Sequence, residues 1–515
     1  MTARTCLPRA LRWLAGLASI GVLSAGSQNA NALGADTAHQ IRDRVLRLQL
    51  VEAEALVASS DTASPAIELE RGRMLYYETR YDEAVAALDR ADVSATDEGA
   101  RLGGLARACA RATAGAAIVI DEPHRIVVRM QDDRDRVLVP MLGKIVDDVR
   151  AALDRDFGIG LPTPLRIELV RDHFSLAEMT GLPETSARTT GTVAIANWGR
   201  VTMLSPRSMT GGYPWEVTLA HELTHVALGM ATADRAPLWF QEGMAKFEET
   251  RWRAADPWDD YPSSDSLAAT GYDTGLAMDI EHLGPSVAML PTPQQAMVVF
   301  AQVHSFVRYV HRESGPQALP EIIAEMGRGS SVQDVRNAIV RGTGRPMEDW
   351  VSSWRRSLET QPRDVPAELG IGKPMPAGHG NAARETRLGE LLLGRKQPGA
   401  AVRVLGRARE SAPKELRIRA LLAEGMMSLG RADVAREEVS PAGPPHYADP
   451  TAFALRGFFL RQAGDEPAAE SSFRQALALA PWNPQVACER LVEPLVPRDL
   501  ERAALCRAAR QWPID

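Results

Sequence analysis

The sequence predicts a mostly α-helical protein in which a domain with a small mixed β-sheet lies between two segments of helical hairpins. Aromatic residues make up only 5% of the 515 residues, so the core depends on Leu, Val and Ala, and the high Ala content favours helices. A 34-residue pattern of small and apolar residues recurs near the C-terminus. Short runs rich in β-branched residues lie in the middle of the chain and predict a few strands.

The net charge and the N-terminal residues indicate the class of partner and the cellular location of the protein. The formal net charge of −7 excludes a general electrostatic attraction to nucleic acid. Three arginines, the apolar run 14–24 and the small-residue sequence 30–32 predict a cleaved signal peptide over residues 1–32. An uncleaved anchor is the alternative, although this run is shorter than the roughly 20 residues that span a bilayer. No later run is long enough for a transmembrane helix. We therefore expect a bacterial protein exported to the periplasm or the medium.

Residues 33–120 are predicted to form an N-terminal region of helical hairpins. Small and apolar residues recur there at the spacing of the C-terminal repeat. One such unit cannot bury its own face, so helices over 36–60 and 98–116 are expected to pack on it. A generic helical hairpin is the alternative interpretation. The residues at the shared spacing are Gly72, Leu75, Ala84, Leu88 and Ala91.

Residues 121–362 are predicted to form the domain that contains the sheet. Two strands with a helix between them come first, and a β-hairpin follows. Helices then dominate to about residue 360. The predicted elements are the strand 124–130, the helix 137–156, the strand 165–170 and the hairpin strands 191–196 and 200–204.

The motif HELTH at residues 221–225 carries the predicted chemistry. Residues i and i+4 project from one face of a helix, so His221 and His225 can bind one metal ion, with Glu222 beside that face. A chance occurrence of the motif is the alternative, but the histidines lie away from the apolar stripe of this helix. That stripe is formed by Leu219, Leu223 and Val226, and Pro214 suits the helix start.

A catalytic zinc ion takes three protein ligands and leaves one position open, so a third ligand is needed from another element. The next helix offers three acids, of which the resemblance below implies Glu242, with Glu248 and Glu249 as its rivals. Here the chain resembles the gluzincin metallopeptidases, and more closely the bacterial peptidase MA-like group. In that group the HELTH motif is followed by a helix opening with P-x-W-x-x-E-G-x-A. The matching residues are Pro237, Trp239, Glu242, Gly243 and Ala245.

The resemblance covers about residues 124–360 and implies a zincin-type domain, with the small sheet over the active-site helix. It implies one Zn²⁺ per chain held by His221, His225 and Glu242, and Glu222 as the general base toward zinc-activated water. The segment 191–197 lacks the acid with which aminopeptidase relatives bind a free amine, which favours endopeptidase action. The hairpin is expected to hold a peptide substrate as an added strand.

Two features depart from the family pattern. Lys246 stands where thermolysin-like enzymes have an acid that supports a zinc-bound histidine, so that support must be built differently. No residue is fixed as the group that stabilises the oxyanion, because each candidate also suits a structural or merely exposed role. The candidates are Tyr261, Tyr272, His304 and Tyr309.

The C-terminal part resembles the tetratricopeptide repeat (TPR). Residues 363–383 are rich in Pro and Gly without periodicity and are predicted to be a linker. Within residues 384–515, Gly389, Ala423 and Gly457 take equivalent positions in three 34-residue units, where the two helices of each unit touch. The middle unit is degenerate, and capping helices are expected over residues 485–510. Such repeats are expected to bind a protein partner.

Three cysteines remain after the predicted signal peptide. Cys488 and Cys506 lie in neighbouring predicted helices and could pair in an exported protein, which leaves Cys109 as a buried thiol.

Two functions from different classes follow from these patterns. The first is an exported zinc metallopeptidase whose repeats recruit a protein partner or substrate. The alternative is a TPR interaction scaffold with an inactive or regulatory peptidase-like domain. The presence of all four motif residues, His221, Glu222, His225 and Glu242, favours the first.

Overall fold

The computed structural model describes residues 25–511, apart from residues 62 and 210 and the segments 257–258, 330–331, 373–378, 441–448 and 490–499. The coarse fold prediction is confirmed, since the chain is mostly helical and contains a small mixed sheet. The signal peptide predicted over residues 1–32 lies outside the described residues as far as residue 24. Within the described part, no helix is long and apolar enough to cross a membrane.

Six helices form the N-terminal array, which is the name used below for α1–α6. Helices α3 and α4 are the unit expected around Gly72, and a Cβ there would lie 2.6 Å from Leu88, so glycine permits this close approach. The buried Arg73 pairs with Glu70 and with Glu98, which ties α3 to α6. The helices are α1 (Ala25–Leu46), α2 (Leu50–Ala58), α3 (Pro65–Tyr77), α4 (Tyr81–Leu88), α5 (Ala91–Ser94) and α6 (Asp97–Ala112).

A five-stranded sheet follows, with the strand order β1-β2-β3-β5-β4. Strands β2, β3 and β5 run parallel, and each edge strand pairs antiparallel with its hairpin partner. The strands predicted from the sequence are all present. Strand β1 lies where no strand is predicted and crosses the predicted boundary at residue 120. The strands are β1 (Ala117–Asp121), β2 (Ile126–Met130), β3 (Leu165–Val170), β4 (Ala194–Asn197) and β5 (Arg200–Leu204).

In the described part of this domain ten helices follow α6, and α7, α8 and α10 make the main contacts with the sheet. Helix α10 carries the HELTH motif and lies against β4, β5, α7, α11 and α14. It begins at Trp215, directly after Pro214, as the sequence predicts. The helices are α7 (Val139–Phe157), α8 (His173–Thr180), α9 (Glu184–Thr190), α10 (Trp215–Thr232), α11 (Leu238–Glu248), α12 (Ser264–Thr274), α13 (Pro293–Ser314), α14 (Ala318–Arg328), α15 (Val332–Thr343) and α16 (Met347–Glu359).

The segment predicted as a linker, residues 363–383, is partly packed on this domain. Val365 and Ile371 are buried in one cluster with Leu267 and Val298 of α12 and α13. The removal of these apolar side chains from water explains why the segment adheres to the domain despite its prolines and glycines.

The C-terminal helices form the predicted hairpins. A Cβ on Gly389 would lie 2.5 Å from Leu405, and one on Gly457 would lie 2.9 Å from Phe473. The glycines are therefore placed where the two helices of a hairpin touch, as the repeat pattern predicts. The helices are α17 (His379–Gly394), α18 (Pro398–Ser411), α19 (Leu416–Ser428), α20 (Ala432–Val439), α21 (Pro450–Gln462), α22 (Glu466–Leu477), α23 (Pro484–Ala487) and α24 (Leu500–Arg510).

The third hairpin docks on the start of α10. The indole N–H of Trp215 donates to the carbonyl of Leu477 at 3.1 Å, and the amide of Tyr213 donates to the carbonyl of Leu479 at 3.0 Å. Trp215 is completely buried. The carbonyls at the end of α22, which have no partner within their own helix, are thus satisfied by the chain that leads into α10.

We predict that Glu216, the second residue of α10, makes the stability of the protein depend on pH. Burial raises the pKa of Glu216 to about 7, against the opposing effect of Arg253 and Arg474. The folded state therefore keeps a proton that the unfolded chain releases near its ordinary pKa. Stability should fall by about 3 kcal/mol as the pH rises from about 4.5 to about 7. Thermal unfolding across this range should show that Glu216→Gln loses about this much of the pH dependence of the wild type, whereas the exposed Glu54→Gln keeps all of it.

The three cysteines after the predicted signal peptide form one disulfide and leave one free thiol, as the sequence suggests. Cys488 and Cys506 form a disulfide that joins α24 to the end of α23. Cys109 is a buried free thiol in α6, and burial raises its pKa to about 11.

Candidate metal centre

Two helices bring the predicted metal ligands together. His221 and His225 lie one turn apart on α10, and Glu242 lies on α11. Gly243 lets α11 approach α13 closely, because a Cβ there would lie 2.5 Å from Val307. The backbone of α11 is thereby held where Glu242 faces the two histidines.

The three donor atoms form a nearly equilateral triangle. The Nε2 atoms of His221 and His225 are 3.3 Å apart, and each lies 3.5 Å from Oε2 of Glu242. Zn–N and Zn–O bonds of about 2.0–2.2 Å at tetrahedral angles require donor separations of about 3.3–3.5 Å. Among the described residues, this is the one group of His, Cys, Asp and Glu close enough to hold a metal ion. The donor set and its dimensions therefore fit Zn²⁺.

The carboxylate of Glu249 contacts the imidazole of His221 on the side that faces away from the triangle. Its Oε2 lies 3.1 Å from Nδ1 of His221, the ring nitrogen that faces away from the triangle, and its other oxygen pairs with Lys246. Carboxylates in this position orient a ligating histidine and increase its basicity. Glu249 is thus placed as a supporting residue, and Lys246 pairs with the residue that supplies this support. Glu248, the other rival ligand, lies 3.3 Å from Arg251 instead.

The carboxylates and imidazoles of the centre stabilise one another's charged forms. Burial alone would raise the pKa of Glu242, but the imidazoles of His225 and His221 outweigh it and lower that pKa to about 2. Burial would lower the pKa of His221, but the carboxylates of Glu242, Glu249 and Glu222 raise it to about 10. A cation in the triangle would replace the protons that these groups otherwise share.

Glu222 lies beside the triangle and touches the sheet. It is 7% exposed, and its Oε2 accepts a hydrogen bond of 2.5 Å from the backbone N–H of Ala196 in β4. Burial raises the pKa of Glu222, although the two histidines and this hydrogen bond act against it. Strand β4 is an edge strand of the sheet, so the edge of the sheet faces the centre.

The four candidates for stabilising an oxyanion occupy different surroundings. Nδ1 of His304 lies 2.8 Å from Oγ of Ser264, and burial lowers the pKa of His304 to about 4, which keeps this imidazole neutral. The hydroxyl of Tyr272 accepts a hydrogen bond from Arg355, and Tyr309 packs on Trp350. Tyr261 precedes Pro262 in a cis peptide bond. None of these contacts joins the triangle.

Comparisons with known proteins find no peptidase relative of this chain. No family model matches the chain, and no curated protein matches it. Among solved structures it is similar to a chain of "Crystal structure of APC/C hetero-tetramer Cut9-Hcn1", at 12% identity and a TM-score of 0.20. The match covers 91% of this chain and 77% of that chain.

Two predictions are corrected by these findings. The identification as a gluzincin of the peptidase MA-like group is contradicted, since no peptidase family model matches the chain and the solved structure that it is similar to is titled as a different assembly. The main function, a zinc metallopeptidase, is contradicted with it, and the alternative of an interaction scaffold agrees better with the findings. At a TM-score of 0.20 this similarity places no individual element of the chain.

The sequence did not identify two contacts of the centre. The role of Glu249 was missed, although seven residues are two helical turns and place Glu249 on the same face as Glu242. The contact between Ala196 and Glu222 joins residues 26 apart and involves a backbone N–H, so no side-chain pattern could have indicated it.

Proposed function

We propose that this protein is an interaction scaffold, in which TPR-like hairpins bind a partner protein beside a divalent-metal centre. The observation that carries this proposal is the tight glycine contact inside the C-terminal hairpins, Gly389 on Leu405 and Gly457 on Phe473. Hairpins packed in this way stack side by side and create extended surfaces suited to binding proteins.

The exposed face of α17 supports the same proposal. Leu388 and Leu391 are each 47% exposed and lie one turn apart on the first C-terminal hairpin. Adjacent exposed leucines on a helix are typical of a surface that another protein covers. We place part of the partner-binding surface there.

Affinity isolation of the full chain from its source cells, with mass spectrometry of the bound proteins, tests the scaffold. A Leu388→Asp/Leu391→Asp variant should lose a partner that the wild type retains. Val51→Asp is the matched control, because Val51 is also apolar and is 78% exposed, but lies on α2. If both variants recover the same proteins as the wild type, the proposed surface is wrong.

We further propose that His221, His225 and Glu242 bind one Zn²⁺ per chain and that the protein is a metal-dependent hydrolase. The specific observation in favour is Glu222, a buried carboxylate directly beside the triangle of donors. A zinc ion bound there would supply a Lewis acid that polarises water or a substrate oxygen. Glu222 would hold and release a proton, while Glu249 keeps His221 in orientation. The edge strand of the sheet lies against α10, and this arrangement supports a zincin-type domain.

Metal analysis and a hydrolysis assay test this second function. The purified wild type should contain about one zinc per chain and should hydrolyse fluorogenic substrates. Glu222→Gln should retain the metal and lose hydrolysis. A wild type without metal would reject the centre, whereas metal without hydrolysis would leave a structural or regulatory zinc site within the scaffold.

The Glu249→Gln variant is expected to bind zinc about 10- to 100-fold more weakly, as is usual for loss of a group that orients a histidine ligand. The amide still fills the space but cannot accept charge from the imidazole N–H as a carboxylate does. Glu83→Gln is a surface control, because Glu83 is 57% exposed and pairs with Arg80. Competition with a chromogenic chelator measures both affinities, and equal values would contradict the role of Glu249.

We also propose that the protein is exported to the periplasm or the medium. The signal-peptide pattern of residues 1–32 and the Cys488–Cys506 disulfide support this, because structural disulfides persist in oxidising compartments. N-terminal sequencing of protein from the periplasm and the medium tests it, with cleavage after Ala32 as the expected result.

A further inference from the structure

We propose that the N-terminal array acts on the metal centre through the β4–β5 hairpin, and that Trp198 and Arg200 are positioning residues for Glu222. The inference rests on the metal centre proposed above. It assigns to the array a second role besides helical packing, namely to fix the edge of the sheet against the centre.

The tip of the hairpin is enclosed by the array. Trp198 and Gly199 form the turn, both at positive φ, of 52° and 73°. The indole of Trp198 meets the ring of Tyr76 in α3 edge to face, with centroids 5.0 Å apart. A Cβ on Gly199 would lie 2.3 Å from Leu48, in the connection between α1 and α2. The array therefore contacts the tip from helix α3 and from the connection between α1 and α2.

Arg200 fastens the strand that follows the turn. Its side chain is fully buried, and its guanidinium lies over the rings of Tyr76 at 4.6 Å and Tyr81 at 5.4 Å, both in the array. It also lies over Trp198 at 5.1 Å. One cation thus joins the turn to two helices by stacking, a contact that is strong where water is excluded.

Close to its tip, the hairpin also contacts the metal centre. Ala196 lies two residues before Trp198, and its N–H donates to Glu222. The pairing of Asn197 with Arg200 and of Ala196 with Val201 makes this part of the hairpin a regular ladder. A strand advances only about 3.3 Å per residue, so a shift of the tip moves the N–H of Ala196 directly.

The array meets the sheet through buried apolar side chains and through hydrogen bonds. The hydroxyl of Tyr81 in the array donates to Glu168 of the sheet at 2.6 Å, and Arg129 of the sheet donates to the carbonyl of Thr79 at 2.8 Å.

Hydrogen exchange of the full chain tests the inference without requiring a metal. In Trp198→Ala, the amides of β4 should exchange about tenfold faster than in the wild type, since the charge-assisted bond to Glu222 is weakened. Trp198→Phe should restore much of the protection, because the edge-to-face contact with Tyr76 remains. Phe458→Ala is the matched control, a partly buried aromatic residue on α21. Equal exchange of β4 in Trp198→Ala and the control would overturn the proposal.

A double variant separates positioning from general loosening. Glu222→Ala alone should expose the amide of Ala196, and adding Trp198→Ala should then change its exchange by less than about twofold. A full tenfold additional effect would mean that Trp198 acts on the sheet as a whole, and would overturn its role through Glu222. With zinc loaded, Trp198→Ala should also release the metal to a chelator faster. If no variant binds zinc, the exchange results still decide the coupling.

Discussion

The Glu242→Gln variant is expected to bind Zn²⁺ more than about 100-fold more weakly than the wild type, since even loss of a supporting carboxylate costs 10- to 100-fold. Glu242 supplies the single carboxylate of the triangle, and its Oε2 lies 3.5 Å from both imidazole nitrogens. The amide keeps the volume but removes the negative charge that the two histidines and the cation share. Two histidines alone leave the ion with too few protein ligands for a stable site.

Glu248→Gln is the matched control for this experiment. Glu248 lies on the same helix and is 1% exposed, but its carboxylate faces Arg251 rather than the triangle. Isothermal titration of zinc into the apo-proteins measures the affinities, and circular dichroism shows that both variants remain folded. Equal zinc affinity for Glu242→Gln and the wild type would remove Glu242 from the centre and return Glu249 as a rival ligand.

Local patterns predicted the metal triangle because its geometry is almost entirely helical. Two histidines four residues apart share one face of any helix, so α10 needed no tertiary information to place His221 beside His225. The apolar stripe with Leu223 indicated which side of α10 would be buried, and Leu223 is completely buried. Gly243 lets α11 approach α13 closely, which holds Glu242 facing the two histidines.

The same short pattern could not identify a family. HELTH and the helix after it supply about ten positions, which fix a local arrangement of side chains but not the chain that surrounds it. No family model matches the chain. A short motif of this kind can occur on unrelated folds, and its function must then be argued from the site itself.

Tertiary contacts account for most of what the sequence left open. The residues Ile118, Val119 and Ile120 of β1 have high β-strand propensity. The strand was nevertheless missed, because it follows directly after the helix predicted over residues 98–116. The packing of Val365 and Ile371 depends on a cluster from α12 and α13. The docking of the third C-terminal hairpin on α10 depends on backbone carbonyls, which carry no residue signature.

The Gly212→Ala variant is expected to be less stable than the wild type, because Gly212 lies where the third C-terminal hairpin contacts the chain before α10. Gly212 has a φ of +69°, and a Cβ there would lie 2.2 Å from the carbonyl oxygen of Leu479. Alanine disfavours this backbone conformation, and the clash is with backbone that cannot rotate away. The variant should lose about 3 kcal/mol of stability, which corresponds to about 3 °C in the melting temperature if the chain unfolds as one unit.

The neighbouring glycine provides the control. A Cβ on Gly211 would meet nothing within 4 Å, so Gly211→Ala should leave the melting temperature unchanged or raise it slightly. Because Tyr213 and Trp215 hold the same contact, Gly212→Ala should also expose the start of α10, and hydrogen exchange there should increase. If both alanine variants melt together with the wild type, the third hairpin does not hold α10, and the C-terminal repeats are free to move independently of the metal centre.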